Sequence, residues 1–203
     1  TEATVTTIDA SGMNGALGLT MSASHGSALG AHIMGSPGVD SLTDGNAATS
    51  VDTISAGAGN DTITMTQYLP TDVIDGGDGV DTVSLTNTAI VSSTLGGLSN
   101  VEVVYTPTDN TTLTLGSNTG PATFSLGTVD STGTIYFNDD YDQASTVIIT
   151  GDADSDDTIV NNSGIALTVK GNSADFAANI TVITGHATAV DTIEITPTGA
   201  GDL

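Results

Sequence analysis

Cysteine, tryptophan and arginine are absent from the 203 residues, and Lys170 is the sole lysine. Without cysteine there is no disulfide framework and no thiolate metal site. One basic side chain cannot neutralise a nucleic-acid backbone or dock on an anionic membrane, so both partner classes are excluded. Three phenylalanines and four tyrosines leave any core to small aliphatic side chains. No apolar run approaches the ~20 residues of a membrane-spanning helix, and Thr1-Glu2 does not open a secretory signal, so the start reads as a cut. The ending TPTGAGDL carries no identifiable export signal.

What is present is acid, threonine and glycine: 24 Asp and Glu, 36 Thr and 25 Gly, for a formal charge of −23. Hydrophobic residues make up 37%, more than an acidic disordered chain carries, so the chain can fold. Two carboxylates ~4 Å apart repel by about 1 kcal/mol in water and about 4 kcal/mol at an effective dielectric of 20. Screening at physiological salt acts over ~8 Å, so spread charge is harmless and clustered charge is not. Clustered aspartates therefore call for a cation from solution.

Helical signals are poor, because helix-favouring Glu and Lys are scarce and β-branched residues abound. Residues 173–179 (SADFAAN) are the only plausible helical turn. Runs of three to five β-formers recur instead, separated by Gly, Asp, Asn, Ser or Pro. Strands are expected at 3–8, 17–21, 51–55, 62–66, 72–74, 82–85, 101–105 and 112–115. They continue at 122–126, 133–137, 146–150, 158–160, 167–170, 180–183 and 192–196. The fold class is all-β.

Repetition points to a parallel β-solenoid with irregular coils. Residues 76–84, GGDGVDTVS, fit the nonapeptide G-G-x-G-x-D-x-U-x in full. Residues 56–64, AGAGNDTIT, fit with one Gly→Ala departure, and residues 35–43, GSPGVDSLT, with Ser36 for the second glycine. Asp40, Asp61 and Asp81 thus recur at about one coil. A second acidic turn precedes each of the later two motifs, at Asp52 and at Asp72 with Asp75. Motif glycines permit positive φ and close backbone approach, aspartate adds a hard anionic oxygen, and stacked turns can build the 6–8 oxygen cage that Ca²⁺ prefers. The candidate ligands are Asp40, Asp52, Asp61, Asp72, Asp75, Asp78 and Asp81. Asp152, Asp154 and Asp157, in the degenerate copy GDADSDDTI, extend the set.

These nonapeptides resemble the repeats-in-toxin (RTX) motifs of proteins exported by type I secretion. Residues 6–23 (TTIDASGMNGALGLTMSA), 96–104 (GGLSNVEVV) and the Thr/Ser/Gly-rich stretches make the chain similar to one branch, the calcium-dependent surface-layer (S-layer) proteins of Gram-negative bacteria. The nonapeptide part covers about residues 35–85. The resemblance implies a calcium-loaded solenoid that folds after export and assembles laterally into a two-dimensional lattice. It also implies that backbone carbonyls near Gly57, Gly59, Gly77 and Gly79 join Asp61 and Asp81 as ligands. Only three copies occur, about 20 residues apart, which implies a wider coil than a long repeat block forms.

Other features weigh less. Asp139, Asp140 and Asp142 share one turn, as do Asp152, Asp154, Asp156 and Asp157, and either reads equally as an exposed acidic turn. Asp191-Thr192-Ile193 repeats the motif's tail without its glycines. His25, His32 and His186 lack metal-ligand spacing and read as surface residues. There is no G-x-S-x-G elbow. Paired carboxylates for glycoside hydrolysis lack tryptophan platforms beside them, and a polysaccharide lyase would have only Lys170 to meet an anionic substrate. Thr-x-Thr recurs, as at 62–66 and 112–114, yet its intervals look too irregular for an ice-binding face.

The expectation is an extracellular, non-enzymatic surface-layer segment with Ca²⁺ as its cofactor and copies of itself as partners. Cell-surface polysaccharide is expected to be met through other parts of the protein. An adhesin, a biofilm-matrix protein or an accessory module of a secreted enzyme is the alternative, and an ice-binding solenoid a remote one. A boundary is expected near residue 86, with 1–85 holding the nonapeptides and 86–203 further β-structure.

Overall fold

A computed structural model describes residues 6–14, 17–23, 30–45, 51–86, 95, 97–106, 112–115, 123–126, 134–138, 144–149, 158–172, 181–184 and 192–196. Among them every regular element is a β-strand, and neighbours within each sheet are two strands apart in the chain and pair in parallel. This is a β-solenoid, as the repeats predict. The helical turn expected at 173–179 lies outside the described residues.

Two compact units divide the chain. One comprises Thr1–Asn87 with Leu95–Val104, the other Thr88–Thr94 with Tyr105–Leu203. In the first, one sheet runs β1 (Thr7–Asp9), β3 (His32–Met34), β5 (Thr53–Ala58), β7 (Val73–Asp78), β9 (Leu98–Ser99). The facing ladder runs β2 (Thr20–Ala23), β4 (Ser41–Asp44), β6 (Thr62–Met65), β8 (Thr82–Leu85), β10 (Val103–Thr106). Each coil contributes one strand to each.

Strand alternation explains the core. In β5, Ile54 and Ala56 point inward while Thr53 and Ser55 point out, the period of two that a pleated strand imposes. Register then stacks like on like: Ile33, Ile54, Ile74 and Leu98 form one buried column, and Leu42, Ile63 and Val83 another. A full slip of one residue would turn every such side chain to solvent, so the apolar column holds the register.

The coil period in this unit is short and even. Ser41 pairs with Thr62, 21 residues on, and Thr62 with Thr82, 20 residues on. Outside, this sets Thr20, Ser41, Thr62 and Thr82 in one rank and Ser22, Thr43 and Thr64 in a second, which ends at the buried Ser84. The hydroxyl intervals that look irregular along the sequence are regular here in space, because the register sets strands one coil apart side by side.

The second unit holds the ladders β11 (Thr112–Leu115), β13 (Thr134–Phe137), β15 (Thr158–Asn161), β17 (Thr181–Thr184) and β12 (Thr123–Leu126), β14 (Ser145–Ile149), β16 (Leu167–Asn172), β18 (Thr192–Thr196). Phe124 and Phe137 meet edge-to-face in its core, ring centroids 5.7 Å apart. Threonine heads each strand of the first of these ladders in register, with Thr112, Thr134, Thr158 and Thr181 in one rank. Lys170 is exposed on β16, in register between Ile148 and Glu194.

Three strands escape the sequence reading: β3, β4 and β9. Each has four residues or fewer and lies in a Gly- or Ser-rich stretch, so composition hides it while the neighbouring coil supplies its hydrogen bonds. Conversely, β5 and β7 run to six residues, through glycines read as turn.

Candidate metal centre

In the first unit an aspartate stands immediately before each of β4, β6 and β8: Asp40, Asp61 and Asp81. All three are buried. Their carboxylates link the coils. Leu19 N–H donates to Asp40 Oδ1 at 2.5 Å, Asp40 N–H to Asp61 Oδ1 at 2.7 Å, and Asp61 N–H to Asp81 Oδ1 at 2.8 Å. Glu102 takes the same place one coil further, accepting from Asp81 N–H at 2.7 Å. Strand pairing begins one residue later, so each carboxylate captures the last N–H that the ladder leaves open.

One oxygen of each ladder aspartate is thereby used, and the other decides what the corner can hold. Asp61 Oδ2 and Asp81 Oδ2 are buried and accept no hydrogen bond. Burial pushes both carboxyls above the ordinary aspartate range. Asp40 and Asp81 add repulsion at Asp61, and Glu102, Asp75 and Asp78 add it at Asp81. A buried carboxylate oxygen without a donor costs on the order of 1–3 kcal/mol, more when charged.

The glycines of the same turns adopt the backbone that the motif requires. Gly57, Gly59, Gly77 and Gly79 have φ of +114°, +131°, +99° and +146°. A Cβ on Gly77 would stand 1.8 Å from the Gly57 carbonyl oxygen, and one on Gly79 1.7 Å from that of Gly59. Successive turns are therefore stacked with carbonyl oxygens against glycine Cα, and only glycine fits.

Among the described residues no three Asp, Glu or His side chains are grouped to hold a metal by themselves. A cation at these corners must draw on backbone carbonyls as well as carboxylate, which suits Ca²⁺ and not Zn²⁺. The donor set fits calcium: two buried carboxylate oxygens lacking donors, beside turns rich in carbonyl oxygen.

The opposite corner is built differently. Asp52 and Asp72 precede β5 and β7. Ala31 N–H donates to Asp52 Oδ1 at 2.7 Å and Asp52 N–H to Asp72 Oδ1 at 3.0 Å, while Leu69 N–H donates to Asp72 Oδ2 at 2.7 Å. Both oxygens of Asp72 thus serve backbone donors. Burial raises the Asp72 carboxyl, and burial with the nearby Asp72 pushes the Tyr68 hydroxyl up to about 12.

Compared with known families, curated proteins and solved structures, the chain matches none.

The remaining candidates fall into two groups. Asp75, on the outer side of β7, accepts from Asn100 Nδ2 at 2.7 Å, and Asp78 is exposed at that strand's end. Both act on Asp81 by repulsion. Asp152, Asp154 and Asp157, the clusters at 139–142 and 152–157, Asp191, His25 and His186 lie outside the described residues. His32 is exposed on β3, near Asp9. Sequence reasoning missed Glu102, which stands outside the nonapeptides and continues the ladder by side-chain reach. It also missed Asp44, fully buried in register between Ala23 and Met65. Asp44 directly follows the first nonapeptide and occupies an inward strand position that alternation alone would have flagged.

Proposed function

We propose that this chain is a calcium-stabilised structural segment of a bacterial surface layer, exported and assembled with copies of itself into an extracellular lattice. The observation that carries the calcium part is the pair of buried, donorless oxygens, Asp61 Oδ2 and Asp81 Oδ2, beside turns held open by four positive-φ glycines. The charge of −23 gives the location its logic. Where free calcium is scarce the corners repel and the chain stays expanded; at millimolar calcium outside the cell, ligation favours the folded coils by mass action. RTX-like motifs, parallel coils and the absence of a nucleophile or platform motif in the sequence support a structural role over an enzymatic one.

The test is a CaCl₂ titration of the metal-stripped protein, followed by circular dichroism and light scattering, with MgCl₂ as control. A coil-to-β transition specific to calcium, with rising scatter and ordered sheets in electron micrographs, is the expected result. The same transition without scatter moves the assignment to an adhesin, matrix protein or accessory module. No calcium response removes the reading. Thermal hysteresis, measured alongside, asks whether the hydroxyl ranks of β2, β4, β6 and β8 order water as an ice-binding face does.

A further inference from the structure

Three corners share one sequence frame and one ladder, yet they differ in how the aspartate is satisfied. At the second motif position stand Ser36, Gly57 and Gly77. Gly57 and Gly77 lie at positive φ, and Ser36 does not. Ser36 N–H donates to Asp40 Oδ2 at 2.6 Å, and Ser36 Oγ lies 2.6 Å from Asp40 Oδ1. The same hydroxyl accepts from Gly38 N–H at 3.2 Å and lies 2.9 Å from the Leu17 carbonyl oxygen. With Leu19 N–H, Asp40 has three polar partners spread over both oxygens. Asp61 and Asp81, equally buried, each keep one oxygen bare. The turned-over glycine peptides at the later corners do not bring an N–H to that oxygen.

We infer that Ser36 closes the first corner in place of a cation, so that ions bind at the Asp61 and Asp81 turns and not at the Asp40 turn. The inference rests on the calcium reading above and adds which of three similar motifs is silent, and why. An ion at Asp40 would have to displace a backbone N–H and a hydroxyl from a buried carboxylate, whereas at Asp61 and Asp81 it meets an oxygen with nothing to lose. A cavity of about 150 Å³ beside the first corner is lined by Ser11, Gly35, Ser36, Pro37, Gly57 and Ala58. Among the described residues no carboxylate lines it. Ser36 is thus a specificity-determining residue: a Ser/Gly choice at one position sets whether a corner is closed by hydrogen bonds or by metal.

The experiment counts calcium ions bound per full chain, by native mass spectrometry and isothermal titration calorimetry. The proteins compared are wild type, Asp40→Asn, Asp61→Asn, Asp81→Asn, Ser36→Gly and the Ser36→Gly/Asp40→Asn double variant, each checked for fold by circular dichroism in calcium. Asp40→Asn should keep the wild-type count, while Asp61→Asn and Asp81→Asn lower it. Ser36→Gly should gain one ion, and the double variant should lose that ion again. A lower count in Asp40→Asn, or an unchanged count in a folded Ser36→Gly, overturns the inference. If Ser36→Gly does not fold, Asp40→Asn alone decides. A wild-type count of zero is a different failure: it removes the calcium reading itself, and the inference with it.

Discussion

At the scale of single residues, the buried aspartates carry most of the chemistry, and their titration is a direct readout. The carboxyls of Asp61, Asp72 and Asp81 are all raised, chiefly by burial. The folded chain then holds protons more tightly than the unfolded one, whose aspartates titrate near about 3.9. Their contribution to stability is fully present below that unfolded pKa and is lost as pH rises through the raised folded values. The metal-free protein is therefore expected to melt at a higher temperature near pH 4.5 than at pH 7.5, and calcium should remove or reverse that trend. Calorimetry in EDTA and in CaCl₂ checks it. Asp9 runs the other way, lowered by hydrogen bonds from Ser11, but it is exposed and carries little weight.

Two glycines give a matched pair at the same scale. Gly77→Ala places a Cβ at φ +99° and 1.8 Å from the Gly57 carbonyl oxygen, a backbone clash that no rotamer relieves. A loss on the order of 3 kcal/mol or more is expected. Gly12→Ala meets nothing within 4 Å and should stay within about 0.5 kcal/mol of wild type. Urea unfolding of both variants, with and without calcium, separates turn geometry from ion binding.

At the scale of the element, each strand is too short to stand alone and takes its stability from the coils on either side. The carboxylate that stands before a strand is part of that exchange. Asp72→Ala leaves the N–H groups of Asp52 and Leu69 without their acceptor in the coil corner. The expected cost is about 2–4 kcal/mol, taking roughly 1–2 kcal/mol for each donor, and it should be similar with and without calcium. Asp81→Asn keeps an acceptor at Oδ1 for Asp61 N–H and removes a buried charge. That variant should be no less stable than wild type in EDTA and clearly less stable in calcium. The contrast between the two corners, followed by denaturant midpoints, tests whether one corner is a hydrogen-bond column and the other a metal column. In the core, Ile63→Ala cuts a fully buried side chain stacked between Leu42 and Val83 and should cost about 2–5 kcal/mol.

For the whole molecule, the governing quantity is charge. With −23 on 20.1 kDa and one lysine, repulsion opposes every compact state, and two remedies exist: screening and ligation. Sodium chloride at ~1 M, where the screening length falls to about 3 Å, should stabilise the metal-free protein without selectivity. Calcium should act at millimolar levels, with hydrogen-exchange protection gained first in residues 51–85, where the open carboxylates sit. Equal gains from Na⁺ and Ca²⁺ at matched ionic strength would reduce the effect to screening.

Much of the solenoid was legible from residues alone. Composition pointed away from a helical fold. The spacing of Asp40, Asp61 and Asp81 announced a coil of about 20 residues, and short runs of Val, Ile and Thr located most strands. These are local properties: β-branched side chains favour extended backbone wherever they stand, and a Gly-x-Gly-x-Asp turn carries its own φ preferences. The division of labour among the aspartates was decided only in three dimensions. Asp52, Asp72 and Asp81 look alike as acids in turns, yet Asp72 gives both oxygens to N–H groups and Asp81 keeps one bare. Asp40 matches Asp61 in its motif and differs through one neighbour's hydroxyl and N–H. One oxygen of each aspartate meets an N–H 20 or 21 positions away, brought alongside only by the stacking of coils. The other is filled or left bare within its own turn, by Ser36 at Asp40 and Leu69 at Asp72, through a turn geometry that composition alone does not fix.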